Sequence, residues 1–293
     1  MNWIVGIDLR PLSHGALQFA AWLAANAGAG GADRFVPVHV LEEEHLRTML
    51  RYHHLDEVID AAREEAKRTL LREGRAEWLG DLQIVQAVNA ERSLEFVRAA
   101  AGAEAMVIGR AAAREGHRIV RLGRVARRLL RNLPSPVVVV PPDLRLGDVG
   151  PGPIVALTSL ADDALEASRF ASALARHTGR KLALVHVVGD PAGRGLPFMP
   201  SASLERARLD EVRYGEPELA AWVAAAGLRP DTTTVLQGNV IDEAIAFAER
   251  ERSPLIVAGA RRRTGVDRML LPSIGRELAA TSPLAVAVVP ASA

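Results

Sequence analysis

The feature that most constrains the fold is an internal repeat with a period of about half the chain. Residues 103–141 run from an apolar strand through glycine, an arginine-rich loop and a short helix to a second apolar strand, and the same order returns over 253–290. Gly109 closes the first apolar run of one copy and Gly259 closes that of the other. A fixed-period repeat is the signature of duplicated structural units, so we expect two homologous halves.

Strand and helix patterns alternate throughout each half. The all-valine run 137–140 has no polar alternation, which is typical of strands covered on both faces of a parallel sheet. We therefore predict an α/β fold of two tandem Rossmann-like domains, each a five-stranded parallel sheet with helices on both faces. Proline and glycine clusters predict a linker over 143–152, between a first domain at 1–142 and a second at 153–293.

Two helix predictions rest on charge spacing and on helix breakers. Glu and Arg at three- and four-residue spacing predict one long, solvated helix over about 43–78. In the second half, a helix over 204–226 is expected to break near Gly215 and Pro217.

Composition limits the classes of function. The 36 basic and 35 acidic residues give a formal net charge of +1, which disfavours nucleic acid as a partner. There is no cysteine, and no uninterrupted apolar run approaches the 18 residues of a transmembrane helix. With no signal-peptide pattern at the start of the chain, we expect a cytoplasmic protein without a membrane partner.

The ordered motifs, each present twice, resemble the universal stress protein family in its tandem two-domain form. They are a first strand ending in Asp8, the Val-His-Val strands at 38–40 and 185–187, the turns at Gly109 and Gly259, and Ser-Pro before each final strand. The resemblance implies a stress-response protein that binds ATP or a related adenine nucleotide with Mg²⁺. It also implies pairing of the two halves inside one chain through their last strands, and a further homodimer stays open.

In nucleotide-binding members of that family, a loop of pattern G-x2-G-x9-G-(S/T) holds the phosphates. The first half keeps Gly109, has Ala112 at the second glycine, carries Gly123 one residue late and replaces the final hydroxyl by Arg124. The resemblance thus implies a cofactor site made of Asp8, Val38, Gly109, Arg110, Ala112, Gly123, Arg124 and Val125.

The second half departs further from the family pattern. Thr158 takes the Asp position, and Arg262 and Pro272 stand at the second and third glycines. Proline has no N–H to donate to a phosphate. We therefore expect the second site to be degenerate.

Several residues keep two interpretations. The arginines between 110 and 131 are either an anion clamp or a solvated face, and Asp8 is either a nucleotide contact or a helix cap. His39 and His186 are expected to be packed core residues, and the histidines at 45, 53 and 54 surface residues rather than metal ligands.

The function also keeps an alternative. A scaffold of the same fold that binds no nucleotide would act through protein partners or another anionic ligand. No nucleophile elbow, Walker loop or dinucleotide fingerprint is present in the sequence. We leave enzymatic activity open and expect weak ATP hydrolysis at most.

Overall fold

The computed structural model describes residues 1–9, 13–28, 33–72, 78–111, 122–189, 200–260 and 273–291. The chain divides into two compact units. The first comprises Met1–Val149 and Ala279–Ala285, and the second comprises Gly150–Leu278 and Val286–Ala293.

The first unit alternates strands and helices from its first residues. Its elements, in chain order, are β1 (Asn2–Gly6), α1 (His14–Ala25), β2 (Arg34–Glu42), α2 (Glu43–Met49), α3 (Leu55–Arg72), β3 (Gln83–Ala87), α4 (Ala90–Ala100), β4 (Ala105–Gly109), α5 (Arg124–Asn132) and β5 (Val137–Val140), followed by a 3-10 turn at Leu146–Asp148.

The second unit repeats the same order, apart from α9 and β10, whose residues are shared between the two units. Its elements are β6 (Ile154–Thr158), a 3-10 turn at Asp162–Ala164, α6 (Leu165–His177), β7 (Leu182–Val188), α7 (Ser201–Ala225), β8 (Thr232–Gln237), α8 (Val240–Arg250), β9 (Leu255–Ala260), α9 (Ile274–Thr281) and β10 (Ala285–Pro290).

The strand order within each unit is that of a doubly wound Rossmann-like sheet. It is β3-β2-β1-β4-β5 in the first unit and β10-β9-β6-β7-β8 in the second. Gly6 pairs with Val38 in parallel, and Gly109 pairs with Val140 in the same sense. The order reverses beside the first strand of each unit, and such a switch point opens a crevice at the carboxyl ends of the strands.

Consecutive buried residues show that helices cover both faces of each sheet. Side chains alternate between faces along a strand, yet all four valines of β5 and all five residues of β6 are buried. The predicted α/β class with two Rossmann-like domains is therefore confirmed.

The prediction of one long helix over 43–78 was wrong. The chain leaves α2 at Met49 and begins α3 at Leu55, and Trp78 lies in a turn. The His54 N–H donates to the Glu57 carboxylate across 3.2 Å, which satisfies a free donor at the start of α3. A local side-chain cap thus begins a second helix where charge spacing alone suggested continuity.

The predicted break near Gly215 was also wrong, because α7 runs through Gly215 and Pro217 without interruption. Gly215 is buried, and a Cβ built there would lie 3.0 Å from Cγ1 of Val235 in β8. The glycine therefore permits close packing of helix on strand rather than ending the helix.

Among the described residues, no helix is both long enough and apolar enough to cross a membrane.

Candidate functional site

A cleft of about 620 Å³ opens in the first unit where β1, β2 and β4 end and α5 begins. Three sides of the cleft are the carboxyl ends of β1, β2 and β4, which lie together near the switch point of the sheet. The fourth side of the cleft is the amino end of α5. The lining includes Ile7, Asp8, Ser13, Val38, His39, Glu42, Glu44, His45, Met49, Gly109, Arg110, Ala111, Gly123, Arg124 and Val125.

Asp8 is held at the mouth of the cleft by the chain around it. Its backbone N–H donates to the Ser13 hydroxyl across 2.8 Å, and that hydroxyl donates in turn to the Asp8 carbonyl oxygen. Ser13 is the N-cap residue of α1, but its side chain makes no capping bond to the helix. The hydroxyl therefore stabilises the loop that carries Asp8 instead of the helix end.

The second strand fixes the end of the first strand just before Asp8. The Ile7 N–H donates to the Val38 carbonyl across 2.8 Å. In the opposite direction, Nδ1 of His39 lies 2.8 Å from the Ile7 carbonyl oxygen, which can only accept, so Nδ1 carries the proton. The prediction that His39 is a packed, hydrogen-bonded residue is consistent with this geometry, since its side chain is buried.

The amino end of α5 borders the cleft with backbone N–H groups that have no acceptor within the helix. Gly123 is the N-cap residue, and the first N–H with a helical partner is that of Arg127, which donates to Gly123 across 3.0 Å. The first turn contains no acidic residue. Free N–H groups and the helix dipole make such a terminus suitable for an anion.

Arg110 lines the cleft, but its guanidinium is bound elsewhere. Its Nη1 donates to the carbonyl oxygens of Ala280 and Ser282, each across 2.9 Å. The side chain is buried, and this burial lowers the pKa of Arg110, an effect that Asp143 opposes. The backbone N–H of Arg110 also has a protein partner, since it donates to the Val140 carbonyl across 2.8 Å.

Arg124 also lines the cleft, and it is paired with acids at the end of β2. Its Nη2 contacts Oε2 of Glu42, and its Nη1 lies 3.4 Å from Oε2 of Glu44. Neither glutamate was among the predicted site residues, because Glu44 falls in the helix predicted over about 43–78 and Glu42 lies just before it. The available signal was their position directly after the second strand, at the end where ligands bind in such sheets.

The cleft brings together every residue of the predicted cofactor site except Ala112, which lies outside the described residues. The other arginines of the predicted clamp behave differently from one another. Arg128 lies 3.5 Å from Glu91, Arg127 and Arg131 are exposed on α5, and Arg114, Arg118 and Arg121 lie outside the described residues.

The equivalent cleft of the second unit is smaller, about 230 Å³. The prediction that Thr158 stands at the position of Asp8 was wrong, because Val38 pairs with Gly6 whereas Val185 pairs with Leu157, which puts Ser159 there. The Ser159 hydroxyl donates to the Asp163 carboxylate across 3.0 Å, and the buried Thr158 accepts from the Leu160 N–H across 3.0 Å. A Cβ on Gly259 would lie 2.9 Å from the Asp163 carbonyl oxygen, so the end of β9 is closely covered. Arg262 and Pro272 lie outside the described residues.

The histidines near the cleft do not assemble a metal site in the part of the chain that the structure describes. No group of three or more His, Asp or Glu side chains there is placed to hold a metal ion. His45 and His53 instead lie 3.7 Å from Glu42 and Glu57, respectively.

The fold and the cleft define a tandem Rossmann-like α/β protein with a candidate ligand site at the carboxyl ends of its first sheet. The sequence matches the universal stress protein family over residues 1–141 and again over 152–290. The chain therefore belongs to the universal stress protein family.

Individual relatives agree with this assignment. A universal stress protein of Methanocaldococcus jannaschii is 29% identical over 125 residues, which cover 43% of this chain and 74% of the relative. The structure of a universal stress protein from Archaeoglobus fulgidus matches 99% of this chain and 98% of its own, with 17% identity and a TM-score of 0.66. A functionally unknown protein from Pseudomonas aeruginosa matches 99% and 92%, with 16% identity and a TM-score of 0.61. At such identities, the two structural matches show the fold alone.

Proposed function

We propose that this protein acts in the stress response by binding ATP or a related adenine nucleotide in the cleft of its first unit. The observation that carries the proposal is the convergence of Asp8, Val38, Gly109 and Gly123 on one cleft, although they come from four separate segments. The N–H groups of the first turn of α5, which have no acceptor within the helix, suit a phosphate, and Asp8 suits the hydroxyl groups of a ribose.

Mg²⁺ would enter with the nucleotide phosphates rather than through a protein cage, as is usual for that ion. In this proposal, Gly109 and the amino end of α5 hold the phosphates and Asp8 orients the nucleoside. Hydrolysis is not part of the proposal.

The second unit is proposed to bind nucleotide weakly or not at all. The cleft of the second unit has roughly a third of the volume of the cleft in the first unit, and the Thr158 hydroxyl there accepts from the Leu160 N–H. The expected stoichiometry is therefore one nucleotide per chain.

The second candidate is a scaffold that binds no nucleotide and works through protein partners or another anionic ligand. The specific observation in its favour is that both arginines in the described lining already have protein partners, carbonyl oxygens for Arg110 and glutamates for Arg124. Pairing of the two halves within one chain, a homodimer and a cytoplasmic location stay predictions of the sequence.

Calorimetric titration of nucleotide-stripped protein with ATP and Mg²⁺ tests the proposal. We expect one site per chain, weakened about tenfold or more in Asp8→Ala, because a hydrogen bond to a charged group contributes roughly 1.5–3 kcal/mol. Ser159→Ala, at the equivalent position of the second unit, is the matched control and should bind ATP as the unmodified protein does. Absence of heat up to millimolar ATP would favour the scaffold, and equal effects of the two variants would contradict the asymmetry.

A further inference from the structure

Arg124, Glu42 at the end of β2 and Glu44 in α2 form an ion-paired wall on one side of the cleft of the first unit. The Glu42 side chain is only 11% exposed, whereas that of Glu44 is 80% exposed. The Arg124 side chain is 44% exposed in both pairs, so the difference lies in the carboxylates, and water screens that of Glu42 less than that of Glu44. Glu42 is therefore the main partner of the Arg124 guanidinium.

The three residues of this wall border a second cavity as well. A cleft of about 340 Å³ is lined by Glu42, Glu44 and Arg124 together with Glu43, Arg47, Val88, Asn89 and Arg128. Glu42 and Arg124 thus lie between two open spaces, so the guanidinium can leave Glu42 without having to enter a packed core.

A phosphate bound at the start of α5 would lie beside the first residue of that helix, Arg124. The Arg124 guanidinium is the natural partner for phosphate oxygens, but it is already neutralised by Glu42. The ligand would have to compete with the Glu42 carboxylate for the cation and would also be repelled by it. This cost grows with the number of phosphate charges, and it is zero for a nucleoside.

We propose that Glu42 is a specificity-determining residue of the cleft, an inference that rests on the proposed function. It competes with ligand phosphates for Arg124 and so favours adenine ligands of low charge, adenosine and AMP, over ATP. The competition is within the first unit, between residues 82 positions apart in the sequence.

Titration of the unmodified protein and of Glu42→Gln with adenosine, AMP and ATP tests this inference. Glutamine keeps the size of the side chain and a hydrogen-bond acceptor for Arg124 but removes the negative charge, so the ion pair with Arg124 and the repulsion of phosphates are both lost. We expect Glu42→Gln to bind ATP about tenfold more tightly and AMP by a smaller factor, with adenosine unchanged.

Glu43→Gln is the matched control, since it removes the same charge one residue away. Glu43 pairs with Arg47. It lines the cleft of about 340 Å³ but is not among the residues that line the cleft of about 620 Å³. The Glu43→Gln variant should bind ATP within about twofold of the unmodified protein, because the Glu43 carboxylate is 47% exposed and therefore screened by water. In a double variant with Arg124→Gln, the gain from Glu42→Gln should be smaller, because only the direct repulsion between the Glu42 carboxylate and the phosphates is then removed.

Inorganic tripolyphosphate separates failure of this inference from failure of the proposed function. If Glu42→Gln binds tripolyphosphate more tightly than the unmodified protein while adenosine binds to neither, the inference stands and nucleotide binding fails. Equal affinity of the two proteins for ATP and tripolyphosphate, including no binding by either, overturns the inference, as does an equal gain in Glu43→Gln. Thermal unfolding checks that Glu42→Gln is folded, and if it is not, Glu42→Asp, which keeps the charge but shortens the side chain, should give a smaller gain of the same sign.

Discussion

His39 donates a hydrogen bond from Nδ1 to the carbonyl oxygen of Ile7, the residue immediately before Asp8. The second unit repeats the arrangement, with Nδ1 of His186 lying 2.9 Å from the Thr158 carbonyl oxygen. In each unit, the histidine of the second strand therefore holds the end of the first strand. In the first unit, that end carries the aspartate of the candidate site.

Replacing His39 by leucine should affect both stability and binding. The substitution leaves the Ile7 carbonyl without its side-chain partner in a buried position, which costs about 1–2 kcal/mol of unfolding free energy. Loosening of the segment before Asp8 should also weaken ATP binding about threefold or more, measured by calorimetry alongside urea unfolding.

His186→Leu is the control for this prediction, because it removes the equivalent bond in the second unit. It should lower stability by a similar amount while leaving ATP affinity unchanged. If His39→Leu and His186→Leu alter ATP affinity equally, His39 has no special role in positioning Asp8.

Gly123→Val should block the cleft without unfolding the protein. Gly123 has φ −58° and ψ 166°, which other residues also adopt, and an added Cβ would make an ordinary contact of 3.7 Å with Ala111. Both residues line the cleft, so the valine side chain should crowd the helix terminus and reduce ATP affinity at least tenfold.

The control is Gly147→Val, since a Cβ at that glycine meets no heavy atom within 4 Å. Gly147→Val should bind ATP normally. Retention of full ATP affinity by Gly123→Val, with unfolding temperatures close to the unmodified protein for both variants, would remove the start of α5 from the site.

Gly15→Ala should strongly destabilise the first unit. A Cβ at this position in α1 would lie 1.8 Å from the Pro141 carbonyl oxygen, a backbone atom that cannot rotate away. We expect a loss of more than about 2 kcal/mol in unfolding free energy, measured by urea denaturation. Gly147→Ala, at an open position, should change stability by less than about 0.5 kcal/mol. Equal stabilities would show that α1 and the segment after β5 separate easily.

Short-range patterns predicted most of the fold. The valine run of β5 was recognisable because burial on both faces leaves no polar alternation. The helix over 43–78 was predicted wrongly because a single cap, the Glu57 carboxylate on the His54 N–H, outweighs favourable charge spacing. Gly215 was misread because its role depends on Val235, a partner in another element.

The candidate site shows the same division. Among the predicted residues, Asp8 follows β1, Gly109 ends β4 and Gly123 precedes α5, and the order of elements alone brings those positions to one edge of the sheet. Glu42 and Glu44 escaped prediction because their importance comes from an ion pair with a residue about eighty positions away.

The sequence by itself determined a duplicated α/β chain and an asymmetry between its halves, with Asp8 after the first strand of one half and no aspartate at the equivalent position of the other. Both follow from local periodicity and residue identity. Only the tertiary structure decided which groups the arginines meet, carbonyl oxygens for Arg110 and Glu42 for Arg124. The physical reason is that an arginine side chain is long enough to choose among several partners, and the choice depends on which acceptors folding brings within reach.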